Sequence, residues 1–290
     1  MKTLLCFTLL LCNSALHAAV LPQHEPFSLL IVADEVNPHR LSDADLTQPR
    51  DLLPALSAED SGLNLANIIT VDSQCADQAL EMLNAASPPD VVLYFAHRHA
   101  RDCNGNSVQD TFTALLQQGL DNGLGIVVLH HGLYDDIYEP GTKAQLLQMI
   151  GASAGGISWN TEIGQRVINV AKGHFITETG IDYQGALALA GSVNAPNGAY
   201  SYFVNLPDEL YPQMNLFEEA GEVRTPLFVT DTGELRMLGY TLQRPGWKGN
   251  VVVYQPGEYQ PNALDDRNGS NFQILVNAIY YTIRGEVVTE

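Results

Sequence analysis

Gly125-Ile126-Val127-Val128-Leu129-His130-His131-Gly132 is an apolar, β-branched run that stops at two adjacent imidazoles and a glycine. An apolar run without alternation suits a strand covered on both faces, as the strands of parallel sheets are. A second run of the same kind, Val91-Val92-Leu93-Tyr94-Phe95, lies one helix length upstream. Strands are also expected at Ser28–Ala33 and Ile68–Val71. The intervening stretches read as helices: near Pro49–Ser57, over Ala76–Ala85 through Ala79, Leu80 and Leu83, and over the segment carrying Phe112, Leu115, Leu116 and Leu120, with Ser107 as its cap. Strands separated by helices predict an α/β domain with a parallel sheet and right-handed crossovers. In such a sheet ligands bind outside the carboxyl ends of the strands, which makes His130 and His131 the first candidates for function.

Further along, Thr142–Ile150 reads as a helix. Arg166–Val170, Leu227–Thr230, Met237–Thr241 and Val251–Tyr254 read as strands, and Asn271–Ile283 as a closing helix packed through Phe272, Leu275, Val276 and Ile279. Neither an internal repeat nor a low-complexity segment interrupts the chain.

The first residues stand apart. Lys2, the apolar stretch Leu4–Cys12 and the small residues Ala18 and Ala19 read as a secretory signal peptide over residues 1–18. The apolar stretch is too short to span a bilayer, so no transmembrane helix is expected and the protein is expected in the periplasm or outside the cell. Residues 19–290 carry no linker and read as one domain. Lys2 is the one charged side chain of residues 1–18, so its removal takes the formal charge from −19 to −20 over 272 residues. An acidic surface without a basic stretch repels phosphate backbones, which argues against a nucleic-acid partner. It also keeps an exported protein soluble.

Cys6 and Cys12 leave with the signal peptide, and Cys75 and Cys103 remain. Each follows a predicted strand, so both fall on the same sheet edge, and an oxidising compartment favours a disulfide between them. Neither lies in a Gly-x-Cys-x-Gly turn, so neither reads as a catalytic thiolate.

Other polar groups compete for a chemical role. His97 and His99 follow the strand ending at Phe95, so they can face the crevice of His130 and His131; imidazoles there suit proton transfer or metal ligation. No H-E-x-x-H or comparable ligand spacing accompanies them. Asp208-Glu209-Leu210-Tyr211 offers two carboxylates and a phenol, an acid or base beside a group able to orient a sugar hydroxyl. The competing reading is a solvated turn, and Asp135-Asp136 has the same status.

In this order, the strand ending in His130-His131-Gly132, His174-Phe175-Ile176-Thr177, Asp208-Glu209-Leu210-Tyr211, the glycine-led strand Gly249–Tyr254 followed by Gly257-Glu258, and Asn277-Ala278-Ile279-Tyr280 resemble the trehalose-utilisation (ThuA-like) family. The resemblance spans most of Ser28–Gly285. It implies a flavodoxin-like three-layer sandwich with a mostly parallel central sheet, related to the class I glutamine amidotransferases. The chain departs from the family pattern at Phe175, where the family commonly has proline, at Glu258, where it has histidine, and over Ile181–Tyr202, which looks like an insertion. No cysteine stands in the turn after Leu129, where an amidotransferase carries its nucleophile, so glutamine hydrolysis is set aside.

The resemblance implies carbohydrate metabolism, with a disaccharide or an oxidised 3-keto sugar as the small ligand. The leading expectation is a sugar-active enzyme with His130 or His131 as acid or base and His174 assisting. Asp208, Glu209 and Glu258 would hold or protonate hydroxyls, and His97, Tyr134, Tyr211 and Tyr259 would line the crevice, aromatic faces suiting a pyranose ring. Two other readings stand beside it: a non-catalytic sugar-binding module, and a metal-dependent hydrolase using His97, His130 and His174. No cofactor is otherwise expected, and homo-oligomerisation is left open.

Overall fold

The computed structural model describes residues 25–35, 49–136, 138–155, 158–160, 164–191, 195–205, 208–211, 213–231, 235–257, 264–267 and 269–284. The signal peptide expected over residues 1–18 lies outside them. In chain order the elements are β1 (Phe27–Ala33), α1 (Pro49–Ser57), β2 (Leu65–Asp72), α2 (Asp77–Leu83), β3 (Val91–Phe95), α3 (Gln109–Asn122), β4 (Gly125–Leu129) and α4 (Ala144–Ile150). Next come β5 (Ala152–Gly155), β6 (Ser158–Asn160), β7 (Gln165–Asn169), α5 (Phe175–Glu178), β8 (Gly185–Leu189), β9 (Gly198–Asn205), β10 (Asp208–Leu210) and β11 (Gln213–Leu216). The chain closes with β12 (Val223–Thr230), β13 (Arg236–Gln243), β14 (Val251–Tyr254) and α6 (Ser270–Arg284). Among the described residues no helix is long and apolar enough to cross a membrane.

Ten strands form one sheet in the order β2-β1-β3-β4-β14-β13-β12-β7-β9-β8. The first five are parallel, with Ala33 level with Phe95, Tyr94 with Val128, and Leu129 with Tyr254. Their carboxyl ends therefore share one edge. The remaining strands are antiparallel to their neighbours. The expectation of a mostly parallel sheet is corrected accordingly: the sheet is mixed, and more of its neighbouring pairs are antiparallel than parallel. The connections are the physical reason. Only residues 231–235 separate β12 from β13, and only 244–250 separate β13 from β14, whereas a parallel crossover needs about a dozen residues. The stretch read as an insertion, 181–202, supplies β8 and the start of β9, an antiparallel pair at the sheet's far edge.

Successive side chains of a strand point to opposite faces, and each face of the parallel half has its own core. Leu29, Ile31, Leu93, Phe95, Val127 and Leu129 pack against Leu52 and Leu56 of α1 and Phe272, Leu275 and Ile279 of α6. Leu30, Val32, Val92, Val128 and Val253 pack against Ala79 and Leu83 of α2, Phe112, Leu116 and Leu120 of α3, and Leu146 and Ile150 of α4. Helices on both faces explain why β3 and β4 are continuously apolar. The helix expected to begin under a Ser107 cap begins instead after Val108, whose side chain makes no capping bond. Ser107 pairs with Arg101 in an isolated bridge.

Cys75 and Cys103 are joined in a disulfide, as expected. It links the turn after β2 to the loop after β3, alongside hydrogen bonds from Arg101 N to Ser73 O (2.8 Å), from Ala76 N to Arg101 O (2.7 Å) and from Gln74 Nε2 to His99 O (2.9 Å).

Candidate functional site

The carboxyl edge of the parallel strands carries Asp34 after β1, His97 after β3, and His130 and His131 after β4. The chain leaves Leu129 into a 3-10 turn, His130–Leu133. His130 holds a φ of 25°, alone in positive φ among the described non-glycine residues. L-residues adopt that conformation at a cost, and such strain collects at functional sites. The turn is possible because Gly132 has no side chain: a Cβ there would stand 2.7 Å from Val128 Cγ1 and 2.8 Å from the Tyr94 carbonyl oxygen.

His130 is fully buried, and its Nδ1 lies 2.6 Å from the carbonyl oxygen of Gln255. A carbonyl only accepts, so Nδ1 carries a proton, and the bond fixes the orientation of the ring. The His131 ring stacks on Phe95, with centroids 5.0 Å apart and planes 7° from parallel, and lies 5.0 Å from the His130 ring. His97 meets His131 edge-on at 5.5 Å and stacks on Tyr134 at 5.3 Å. Tyr211 closes the group 4.8 Å from His130 and 5.8 Å from Tyr134. Three imidazoles and two phenol rings named from the sequence thus converge on one place.

Beneath them lies a layer of buried charge. Asp34 accepts from Ser73 Oγ (2.6 Å) and from the His97 amide (2.7 Å). Burial raises its pKa, against the lowering effect of the bonds from Ser73 and His97 and of the nearby His131 and Lys143. Lys143 has no exposed surface, and burial brings its ammonium down to about 8, against the opposing pull of Asp34, Asp135 and Asp136. Asp136 accepts from the His99 amide (3.0 Å), His99 Nδ1 (2.7 Å) and Arg98 Nε (3.1 Å). Burial works to raise its pKa, but the hydrogen bonds from His99, Tyr138 and Arg98 hold it well below the carboxylate range. The reading of Asp136 as a solvated turn residue is therefore corrected.

Of the remaining candidates only His174 has a described side chain. The backbone of Asp208 and Glu209 lies in β10, paired with β6 and running directly into Tyr211; their side chains lie outside the described residues, as do Glu258 and Tyr259. His174 is elsewhere. Helix α6 runs from Asn271, which accepts from the Tyr254 hydroxyl at the carboxyl edge (2.6 Å), to Thr282, which abuts Gly125 at the start of β4. His174 packs 5.0 Å from Tyr281, at the far end of that helix. The three-histidine metal site through His97, His130 and His174 is corrected on that geometry. Among the described residues no three His, Cys, Asp or Glu side chains come together as metal ligands. A surface cavity of about 570 Å³, lined by Asn84, Pro88, Asp90, Gln118 and Leu124 among others, also lies at the amino edge, away from the histidines.

His174 has a structural occupation where it stands. It caps α5, its Nδ1 accepting from the Ile176 amide (3.2 Å), and burial lowers its pKa from 6.5 to about 4. Between those values the unfolded chain binds a proton that the folded one does not. The contribution of His174 to stability is therefore complete above about 6.5 and lost as pH falls towards 4. Asparagine keeps the capping acceptor and does not titrate. We expect His174→Asn to lose less stability than the wild type between about pH 7 and about pH 4.5, read from urea midpoints; equal losses would contradict this origin.

Sequence reasoning missed Asp34 and Lys143. Asp34 follows the strand expected at Ser28–Ala33, so the strand-end rule that selected His130 also reaches it. Lys143, on the helix expected from Thr142, gave no such signal, because nothing in one sequence tells a buried lysine from a solvated one.

No protein-family model and no curated protein matches the chain. Among solved structures it resembles a thua-like protein from Parabacteroides merdae ATCC 43184, with 14% identity, a TM-score of 0.58, and coverage of 92% of this chain and 93% of that one. A thua-like protein from Bacteroides uniformis ATCC 8492 follows, with 13% identity, a TM-score of 0.55, and coverage of 92% and 95%. At such identities the likeness establishes a shared fold over nearly the whole of each chain.

Proposed function

We propose that this chain is a ThuA-like protein of carbohydrate metabolism that acts on a sugar, glycoside or 3-keto sugar by acid–base chemistry at its carboxyl-edge histidines. The observation that carries the reading is the convergence of His97, His130 and His131 with Tyr134 and Tyr211 where a parallel sheet places its ligands. His130 is assigned the general-base role by its place at the strand end, its ring oriented by the Nδ1–H bond to Gln255. His131 or His97 serves as its acid partner. Tyr134 and Tyr211 offer ring faces to the apolar side of a pyranose, and Asp208, Glu209, Glu258 and Tyr259 take its hydroxyls. Residues 1–18 are removed on export, and residues 19–290 act as one domain.

One observation favours a second reading, a non-catalytic sugar-binding module: His97, His130 and His131 are 0–2% exposed, as befits groups that build a pocket wall. The two readings part on turnover. Thermal-shift binding against trehalose, maltose, glucose and their 3-keto derivatives, followed by product analysis, is expected to give binding and turnover. His130→Asn keeps a side-chain donor for Gln255 and suits the backbone conformation; it is expected to bind as before and to lose about 10²–10⁴-fold in rate. Binding without turnover in the wild type supports the module instead, and no binding to any of these sugars refutes the carbohydrate reading.

A further inference from the structure

The loops after β3 and β4 bring His97 and His131 together, yet no strand pairing joins those loops beyond the strand ends. The carbonyls of Ala96, His97 and His131 turn inward there. An ammonium has three N–H donors and no acceptor. Lys143 Nζ lies 2.8 Å from Ala96 O and 3.5 Å from both His97 O and His131 O. It also sits 5.2 Å from the centroid of the Tyr94 ring. The residue is held at the amino end of α4, its own amide 3.3 Å from Asp135 Oδ1. From the other side Asp34, at the end of β1, fixes the His97 amide at 2.7 Å and stands near the amide of Arg98 (3.4 Å).

We propose that Lys143 is the positioning residue of the histidine cluster, its ammonium tying the main chain at Ala96 and His97 to that at His131 so that the two imidazoles stay in edge contact. Asp34 is its counter-charge and the second anchor of His97. A buried lysine bound only to backbone carbonyls offers no side chain to a ligand, so it acts through the histidines. The remaining charged and titratable groups facing it are Asp135, Asp136 and Tyr94. Breaking a buried charge pair by removing one partner leaves the other uncompensated, so Lys143→Met alone confounds position with charge. The double variant Lys143→Met/Asp34→Asn removes both charges and keeps an acceptor for the His97 amide.

The proposal rests on reading this cluster as the functional site, but its test needs no substrate, so it can fail while the proposed function stands, and the reverse. Histidine ¹H–¹³C ε1 spectra of the full chain, assigned by substitution, report ring positions directly. His131 over Phe95 and His97 over Tyr134 give ring-current-shifted signals. In the double variant, with the fold verified by circular dichroism, those two signals are expected to lose that shift, while His174, at the far end of α6, keeps its wild-type position. Asp34→Asn alone, which keeps the ammonium ties of Lys143 and leaves Asp135 and Asp136 to compensate its charge, is expected to leave all three in place. Wild-type positions for His97 and His131 in the double variant would overturn the proposal and leave Lys143 a charge-neutralising role only. Equal displacement of His174 would overturn it too, as the mark of general loosening.

Discussion

Alanine at Gly132 is expected to destabilise the protein by about 3 kcal/mol or more, the upper range for forcing extra volume into a packed interior. The added Cβ would lie 2.8 Å from the Tyr94 carbonyl oxygen, 2.7 Å from Val128 Cγ1 and 2.9 Å from Tyr94 Cδ1. Tyr94 belongs to β3, which is paired with β1 on one side and β4 on the other, so its backbone has nowhere to go. The turn must move instead, and His131 moves with it off the face of Phe95. Gly105 supplies the control. Its φ of 85° is one that glycine favours, but nothing lies within 4 Å of a Cβ there, so Gly105→Ala carries only a backbone penalty of about 1–2 kcal/mol. Urea unfolding of the two variants separates close approach from conformation; a Gly132→Ala loss no larger than that of Gly105→Ala would show that the turn accommodates a methyl group.

The parallel half of the fold was legible because its signals are local. Val91–Phe95 and Val251–Tyr254 are apolar throughout, and the strands end where the structure ends them. The antiparallel half was only partly so. Strands near Arg166, Leu227 and Met237 were visible, but a strand's direction is set by the length of the connection and by its partner, and the pattern of side chains does not record it. β8 and β9 were missed outright: Gly185–Leu189 is a run of small and aliphatic residues at an edge, without the aromatic or β-branched emphasis that marks a strand, and the aromatic run Tyr200–Phe203 of β9 was passed over as part of the insertion.

The site divides in the same way. His97, His130, His131 and Tyr134 were legible because strand ends point to one edge of a parallel sheet, whereas Tyr211 was named from the Asp208-Glu209-Leu210-Tyr211 motif and follows β10, outside that sheet. His174 was misplaced because the resemblance put it among catalytic residues, whereas its ring lies beside Tyr281 at the opposite end of α6. Asp136 was undervalued because two adjacent aspartates look solvated; its burial depends on His99 and Arg98, donors from a loop thirty-odd residues away. Long-range partners of this kind decide whether a charge is structural, and one sequence does not print them.

Removing the Cys75–Cys103 bond by the double alanine substitution is expected to lower unfolding free energy by about 3.5 kcal/mol, the chain-entropy value for a loop of this size; the two cysteines are 28 residues apart. The loss should arise mostly in the unfolded chain. In the folded state the same two loops are already joined by the Arg101–Ser73, Ala76–Arg101 and Gln74–His99 hydrogen bonds, and Cys103 N reaches Asp77 Oδ2 at 3.2 Å. Ser73, in the bridged turn, also holds Asp34 at 2.6 Å, and Asp34 in turn holds His97. If those bonds suffice, the variant unfolds at lower urea while the His97 and His131 spectra keep their wild-type positions. A loss below about 1 kcal/mol would mean that the unfolded chain gains little freedom, through residual structure between the two loops. Displaced histidine signals with the fold intact would instead make the bond part of the site, a covalent extension of the path from Ser73 through Asp34 to His97, and an oxidised Cys75–Cys103 pair would then be a condition for function as well as for stability.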